Sequence, residues 1–437
     1  MKKDIIKILI IIHMESRDIY WAKYLKNKIL DTFPNAIIKI TTFDNIIETV
    51  FAAGFRPNKV LTFTLRDDFS VACITAIKKY SNASVIAYEN EGLMNFDDEL
   101  FINKRIGNSP RSLELIDLYY YWGKKPAKVS SEILLKKGFI KDINQVKFCG
   151  YINYEMSSED IFNSLSPSEV SNYLEIKKIC GNKKIILVLT AFALCEYEDK
   201  QFREDGEILS DNEDEIHNYA EKTRNKLKSY REKYVDFINY ISSKYPDSML
   251  IIKPHPAEYY TNGCIEYYKE KLKEKNIIVL DYPLLMGSLL SISNLVLHYG
   301  STAALEAYIR NIPTVLFKDK DYAGNSDLFF STLTIYSNKM DDFNMDLPFI
   351  RFEKNDKLLM ELFNYSFKEN YQPSKDLIRA LLEKNSKKNF NKIKLSKEEY
   401  KVNIMFDYIL MSLKKELIRF HLIRSFRLIK CLVRIIN

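Results

Sequence analysis

The apolar positions of this chain fall into short unbroken runs, separated by longer stretches in which apolar residues recur every three or four positions. Residues 7–12, 36–40, 59–64 and 84–88 are mainly apolar runs, and 117–122 and 145–149 look like further short ones. Between them, residues 17–30 place Ile19, Tyr20, Tyr24, Leu25 and Ile29 on one helical face, and 68–80 and 127–137 have similar spacing. Strands that are apolar throughout are buried on both faces, which is the pattern of a parallel sheet covered by helices. From about residue 154 to 184 the sequence is polar and less periodic. A second series then begins: strands at 184–190, 249–253, 277–280, 294–298 and 314–317, with a long charged helix at 213–243 and a helix at 301–310.

These patterns predict an α/β protein with two Rossmann-like domains and a C-terminal amphipathic helix. The expected division is an N-terminal domain at 1–155, a linker at 156–183, a second domain at 184–395 and a helical, basic, amphipathic segment at 396–437. In that last segment Arg424, Arg427 and Arg434 share one helical face, with Lys430 near it, while Phe420, Ile423, Phe426, Ile429, Leu432, Val433 and Ile436 supply apolar surface. Such a helix can lie in the headgroup region of an anionic membrane, or pack across the two domains with its basic side in water.

Composition changes this picture little. Of 437 residues, 46% are hydrophobic and 28% charged, and the net charge is +7, which suits a folded chain and permits anionic partners without requiring them. The positive charge is spread thinly outside the tail and no recognised motif is present, so nucleic acid is not an expected partner. The six cysteines (Cys73, Cys149, Cys180, Cys195, Cys264 and Cys431) form no CxxC pair, which points to buried reduced thiols. No apolar run is long enough to span a bilayer. The apolar run after the first lysines is short, β-branched and interrupted by Lys7, and fits a first buried strand better than a signal peptide. The expected location is cytoplasmic, with a peripheral position on the inner face of the membrane if the tail touches lipid.

Candidate chemistry gathers where predicted strands end. One strand ends at His298 and runs into Tyr299-Gly300-Ser301-Thr302, with Glu306 one helical turn further on. Gly300 allows a tight turn. Ser301 and Thr302 sit at a helix N-terminus, where backbone N–H groups and the helix dipole favour an anion. A carboxylate at Glu306 could hold ribose hydroxyls. The plainer alternative is that Ser301 caps the helix and Glu306 faces solvent.

A second strand runs into Lys253-Pro254-His255-Pro256, which holds an imidazole and an ammonium at the carboxyl edge where open α/β sheets bind ligands. In the first half, Glu89 and Glu91 follow a strand and could supply a general base or a nucleophile, or form a charged loop. His13, Glu15, Arg17 and Asp18 form a polar cluster after the first strand, where helix capping is the simpler explanation. No metal-ligand spacing, GxxxxGK[ST] or GxGxxG occurs, so neither a metal nor a dinucleotide cofactor is expected.

Six blocks carry a family resemblance: IIIHMESRDIYWAKYL at 10–25, YENEG at 88–92, YYWG at 120–123, KFCGYINYE at 147–155, KPHP at 253–256 and HYGSTAALEAYIRNIPTVLF at 298–317. Together they resemble the bacterial surface carbohydrate biosynthesis proteins. The second half is also similar to capsular Kdo transferases and CDP-glycerol glycerophosphotransferases. The resemblance implies a glycosyltransferase-B-like (GT-B-like) architecture with two Rossmann-like domains facing a central cleft. By position it makes His255, Ser301, Thr302 and Glu306 donor-binding, with His298 close by, and puts Glu89 and Glu91 on the acceptor side; their places near strand ends add Lys253 and Gly300 to the donor set and Glu15, Arg17 and Asp18 to the acceptor side.

The resemblance further implies a metal-independent transferase acting in capsule, lipopolysaccharide or other surface polysaccharide synthesis. Its partners would be a nucleotide-activated sugar or polyol phosphate, CMP- or CDP-linked by preference, and a saccharide or lipid-linked acceptor. His255, Glu89 and Glu91 are then the candidate catalytic groups. Two other readings share the layout: a nucleotide-sugar epimerase or hydrolase, and a non-catalytic subunit of a polysaccharide assembly complex.

Overall fold

The computed structural model describes residues 5–13, 15–42, 52, 54–63, 68–89, 114–204, 212–319, 331–353 and 372–383. The chain divides into two compact units, residues 1–156 with 356–437, and residues 157–355.

The first unit contains β1 (Lys7–Ile11), α1 (Glu15–Thr32), β2 (Ile37–Thr41), β3 (Lys59–Thr62), α2 (Asp68–Ser81), β4 (Ser84–Tyr88), β5 (Leu118–Tyr121), α3 (Lys124–Lys136) and β6 (Val146–Phe148). Its sheet runs β2-β1-β3-β4-β5-β6 and every pair is parallel. β3 and β4 are buried at every position, which is why their sequences do not alternate. Leu9, Val60, Ile74, Val85, Tyr121 and Leu134 pack in one core. The strand order turns back between β1 and β3, so the loops at their carboxyl ends flank a switch point.

A helix at Pro373–Leu382 belongs to this unit and is held at both ends. Glu155 accepts the Ser374 N–H at 2.9 Å, the Ser374 hydroxyl at 2.6 Å and the Tyr24 hydroxyl at 3.0 Å. At the other end the Lys59 ammonium donates to the Glu383 carbonyl at 2.6 Å. A carboxylate at the N-terminus and a cation at the C-terminus both suit the helix dipole. Glu155→Ala would strand three donors and is expected to cost about 2 kcal/mol, read as a lower melting temperature and faster amide exchange in residues 374–383. An unchanged melt would show that the clasp contributes nothing.

The second unit contains α4 (Ser158–Ser164), α5 (Pro167–Cys180), β7 (Lys184–Leu189), α6 (Asp199–Glu204), α7 (Glu213–Lys244), β8 (Ser248–Lys253), α8 (Pro256–Tyr259), α9 (Cys264–Lys271), β9 (Ile277–Val279), α10 (Met286–Leu290), β10 (Leu295–His298), α11 (Ala303–Ile309), β11 (Thr314–Lys318), β12 (Leu333–Tyr336) and α12 (Leu347–Arg351). Its sheet runs β12-β11-β10-β7-β8-β9, also parallel throughout. Ile186 and Val188 face one core with Tyr234, Phe237 and Ile238 of α7. Leu187 and Leu189 face the other, with Ile176 of α5 and Leu289 of α10. Period-two alternation with both faces covered gives the unbroken apolar run of β7. Here the order turns back between β7 and β10, which makes their carboxyl ends the switch point of this sheet.

Residues 156–183, expected as a linker, are instead mostly helical in the second unit: α4 and α5 each start in a capping box, at Ser157 with Asp160 and at Ser166 with Glu169. The acidic start of α7 is capped by Asn212, whose side chain accepts from Asp214 N and Glu215 N. The five described cysteines are buried, and no disulfide forms among the described residues. Among the described residues no helix is long and apolar enough to cross a membrane. The basic amphipathic segment at 396–437, with Cys431, lies outside the described residues, as does Glu91.

Candidate functional site

At the carboxyl edge of the second sheet, three loops meet around the switch point. β7 ends in Thr190-Ala191-Phe192, β8 in Lys253-Pro254-His255, and β10 in His298-Tyr299-Gly300. Tyr299 stacks on Phe192 with ring centroids 4.4 Å apart, and its hydroxyl donates to the Ala191 carbonyl, which ties the β10 loop to the β7 loop.

Lys253, the last residue of β8, is 7% exposed; its backbone carbonyl accepts the Thr190 N–H at 3.3 Å, and its ammonium has no hydrogen-bond partner among the described residues. Burial pushes its ammonium down to about 8, against an opposing pull from Glu306 and Glu258. Glu306 is also buried, not solvent-facing, and burial raises its carboxyl above the ordinary value, with Arg310 and Lys253 acting the other way. Its Oε1 lies 3.8 Å from the Arg310 guanidinium. It also faces α10 at Gly287, where a Cβ would stand 3.5 Å from the same oxygen.

The two histidines differ. His255 is exposed and caps α8, its Nδ1 accepting the Ala257 N–H at 3.2 Å. His298 is fully buried, and burial lowers its imidazole to about 3, so it is neutral. Its Nδ1 accepts from Gly300 N at 3.2 Å and Ser301 N at 3.3 Å. An Nδ1 used as an acceptor leaves the proton of the neutral ring on Nε2, so both rings are Nε2–H donors when neutral.

Gly300 has φ of 129°, a backbone region that side chains disfavour, and this turn folds its N–H back over His298. The N–H groups of Gly300 and Ser301 are therefore engaged by the imidazole beneath them, the second of these being one that the sequence placed at a helix N-terminus open to an anion. The Ser301 hydroxyl accepts the Ala303 N–H at 3.2 Å, which is the capping role. Thr302 is the exposed member of the turn.

Sequence reasoning passed over Glu258. It is 0% exposed and accepts the Thr190 hydroxyl at 2.6 Å, Phe192 N at 3.0 Å, His255 N at 2.7 Å and the Tyr268 hydroxyl at 2.6 Å. The available signal was the carboxylate three residues after His255, the spacing of a capping box.

In the first unit, the cluster after β1 closes on itself. Asp18 is 0% exposed and accepts from His13 N at 3.2 Å, Arg17 Nε at 2.8 Å and Trp21 Nε1 at 3.4 Å. His13 stacks on Phe63 across the β1–β3 switch point at 4.9 Å. Arg17 remains partly exposed, and Glu15 is the first residue of α1. Glu89, just past β4, is buried, with its N–H on the Tyr120 carbonyl and its own carbonyl on Trp122 Nε1 at 2.6 Å. Among the described residues no three His, Cys, Asp or Glu side chains group as metal ligands.

Residues 181–334 match the model of the LIC12162 family transferase, a span that holds both the KPHP and the HYGST…E blocks. No curated protein matches the chain. Among solved structures, UDP-GlcNAc 2-epimerase from Neisseria meningitidis, bound to UDP-GlcNAc, is 13% identical with a TM-score of 0.51, covering 86% of this chain and 100% of its own. S. aureus MnaA with UDP is 12% identical, TM-score 0.49, over 86% of this chain and 96% of its own. The wall teichoic acid polymerase TagF is 13% identical, TM-score 0.46, over 94% of this chain and 90% of its own. Residues 181–334 are thus similar to a transferase family, and the fold is GT-B-like.

Proposed function

We propose that this protein is a glycosyltransferase, or a related polyol-phosphate transferase, that takes a nucleotide-activated donor in its second unit and acts in bacterial surface polysaccharide synthesis. One observation carries the reading most directly: a buried ammonium, Lys253, without a hydrogen-bond acceptor among the described residues, at the carboxyl edge beside the switch point. A buried cation in that state is costly unless something anionic completes it. A diphosphate supplies that charge, with His255 Nε2–H and the Thr302 hydroxyl as further donors. The leaving nucleotide's developing charge would be met by the same groups, already in place. Glu306 would take the ribose hydroxyls. Glu89 is the candidate base for an acceptor held by the first unit, with the Arg17 side chain on the same carboxyl edge. Charge balance at the leaving phosphate in this scheme comes from protein groups and calls on no metal.

The test is a thermal-shift screen against CMP, CDP, UDP, GDP and ADP. UDP belongs in the panel because the Neisseria epimerase holds UDP-GlcNAc. A ligand at 100 times its dissociation constant stabilises the folded state by about 2.7 kcal/mol. One nucleotide is expected to raise the melting temperature of the wild type and to have a much smaller effect on His255→Ala and Glu306→Ala. If no nucleotide shifts the wild type at millimolar concentration, the donor reading fails.

A further inference from the structure

We infer that Glu258 is a positioning residue of the donor site, a single buried carboxylate that locks the loops after β7 and β8 into the geometry a nucleotide donor requires; this rests on the donor reading above. Its four donors come from three separate segments: Thr190 and Phe192 after β7, His255 after β8, and Tyr268 within α9. A capping box explains only the bond from His255 N. Capping a four-residue helix does not call for a carboxylate that also gathers a hydroxyl and an amide about 66 residues away in sequence and a tyrosine on another helix.

The arrangement has a specific consequence for the site. Thr190, Phe192 and His255 directly follow the two central strands, β7 and β8, and Phe192 in turn supports Tyr299 of the β10 loop. Glu258 therefore fixes two of the three loops directly and the third through Phe192 and Tyr299. Its charge also pulls on the Lys253 ammonium, as does that of Glu306 from α11, with Arg310, just past that helix, 3.8 Å from Glu306. Removing the Glu258 charge thus loosens the loops and makes Lys253 easier to deprotonate. A carboxylate that only stabilised the fold would do the first without changing how binding depends on pH.

Glu258→Gln keeps the shape, removes the charge and turns an NH2 group toward groups that donate. The full chain is titrated with CDP, and with UDP in parallel, by calorimetry between pH 6 and 9, with circular dichroism as a check on folding. The expected result is affinity weakened about tenfold or more, with the pH at which binding halves moved downward. Wild-type affinity and an unchanged pH midpoint in Glu258→Gln would overturn the role.

Tyr268→Phe serves if the Gln variant does not fold, because it deletes one donor to Glu258 from α9 and leaves the charge in place. It is expected to weaken CDP or UDP by about threefold to tenfold, and Tyr268→Phe with wild-type affinity also overturns the role. A wild type that takes neither nucleotide overturns the donor reading and this role with it. A wild type that binds, beside variants that bind equally well, overturns this role alone.

Discussion

Lys253→Met is expected to melt at a higher temperature than the wild type at pH 7 and to lose about 10- to 100-fold in nucleotide affinity. The two effects have one cause. The residue is 7% exposed, and burial lowers its ammonium from 10.5 to about 8, a value already net of the attraction from Glu306 and Glu258. Holding that charge in the folded state at neutral pH therefore costs about 3 kcal/mol. The sign follows from linkage. Between about pH 8 and 10.5 the unfolded chain binds the proton and the folded chain does not, so wild-type stability rises with pH across that window. Below about pH 8 the penalty is present in full.

Methionine has a similar length and no charge to desolvate, so the gain should be largest at pH 7 and shrink toward pH 10. Melting curves at both values, beside calorimetry with the stabilising nucleotide, measure it. A variant that is less stable than wild type at pH 7 would show that Lys253 supports the fold, and unchanged affinity would remove it from the donor site. Stability surrendered at a binding residue is a common signature of function.

Most of this architecture could be read from the chain because buried parallel strands are mainly apolar and do not alternate with polar residues. β4 was expected at 84–88 and is observed at Ser84–Tyr88, and the long helix expected at 213–243 is observed at Glu213–Lys244. Helices α4 and α5 were read as a polar boundary. In α5, Leu174 and Ile179 are more than half exposed, so its apolar residues do not line one buried stripe. The two capping boxes were the better signal there. β12 was also passed over: it is short, lies at the sheet edge and is only half buried, so it lacks the apolar run of a central strand.

In the candidate site, Lys253, His255 and Gly300 could be singled out from the sequence because each stands at or just beyond a strand end, and Glu306 because it lies in the helix that follows β10. Glu258 was not, since its meaning comes from Thr190, Phe192 and Tyr268, which only folding brings to it. The engagement of the Gly300 and Ser301 N–H groups was hidden for the same reason, because it depends on how the His298 ring is held beneath the turn.

Asp18→Asn is expected to destabilise the first unit by about 3 kcal/mol and to leave nucleotide affinity unchanged. Position after β1 suggested an acceptor contact, but Asp18 is completely buried and its oxygens are committed to His13 N, Arg17 and Trp21 Nε1. Asparagine offers one acceptor oxygen and turns an NH2 group toward groups that donate, leaving a buried indole N–H or the His13 amide unmatched. The measurement can be made selective, because both tryptophans of the chain, Trp21 and Trp122, lie in the first unit. Tryptophan emission therefore follows the melting of that unit, and Trp21 is itself a donor to Asp18. An Asn variant with an unchanged fluorescence melt would show that this knot carries no stability. The aspartate would then have to be explained by ligand contact after all, with Arg17, the partly exposed member of the pair, as the group that reaches it.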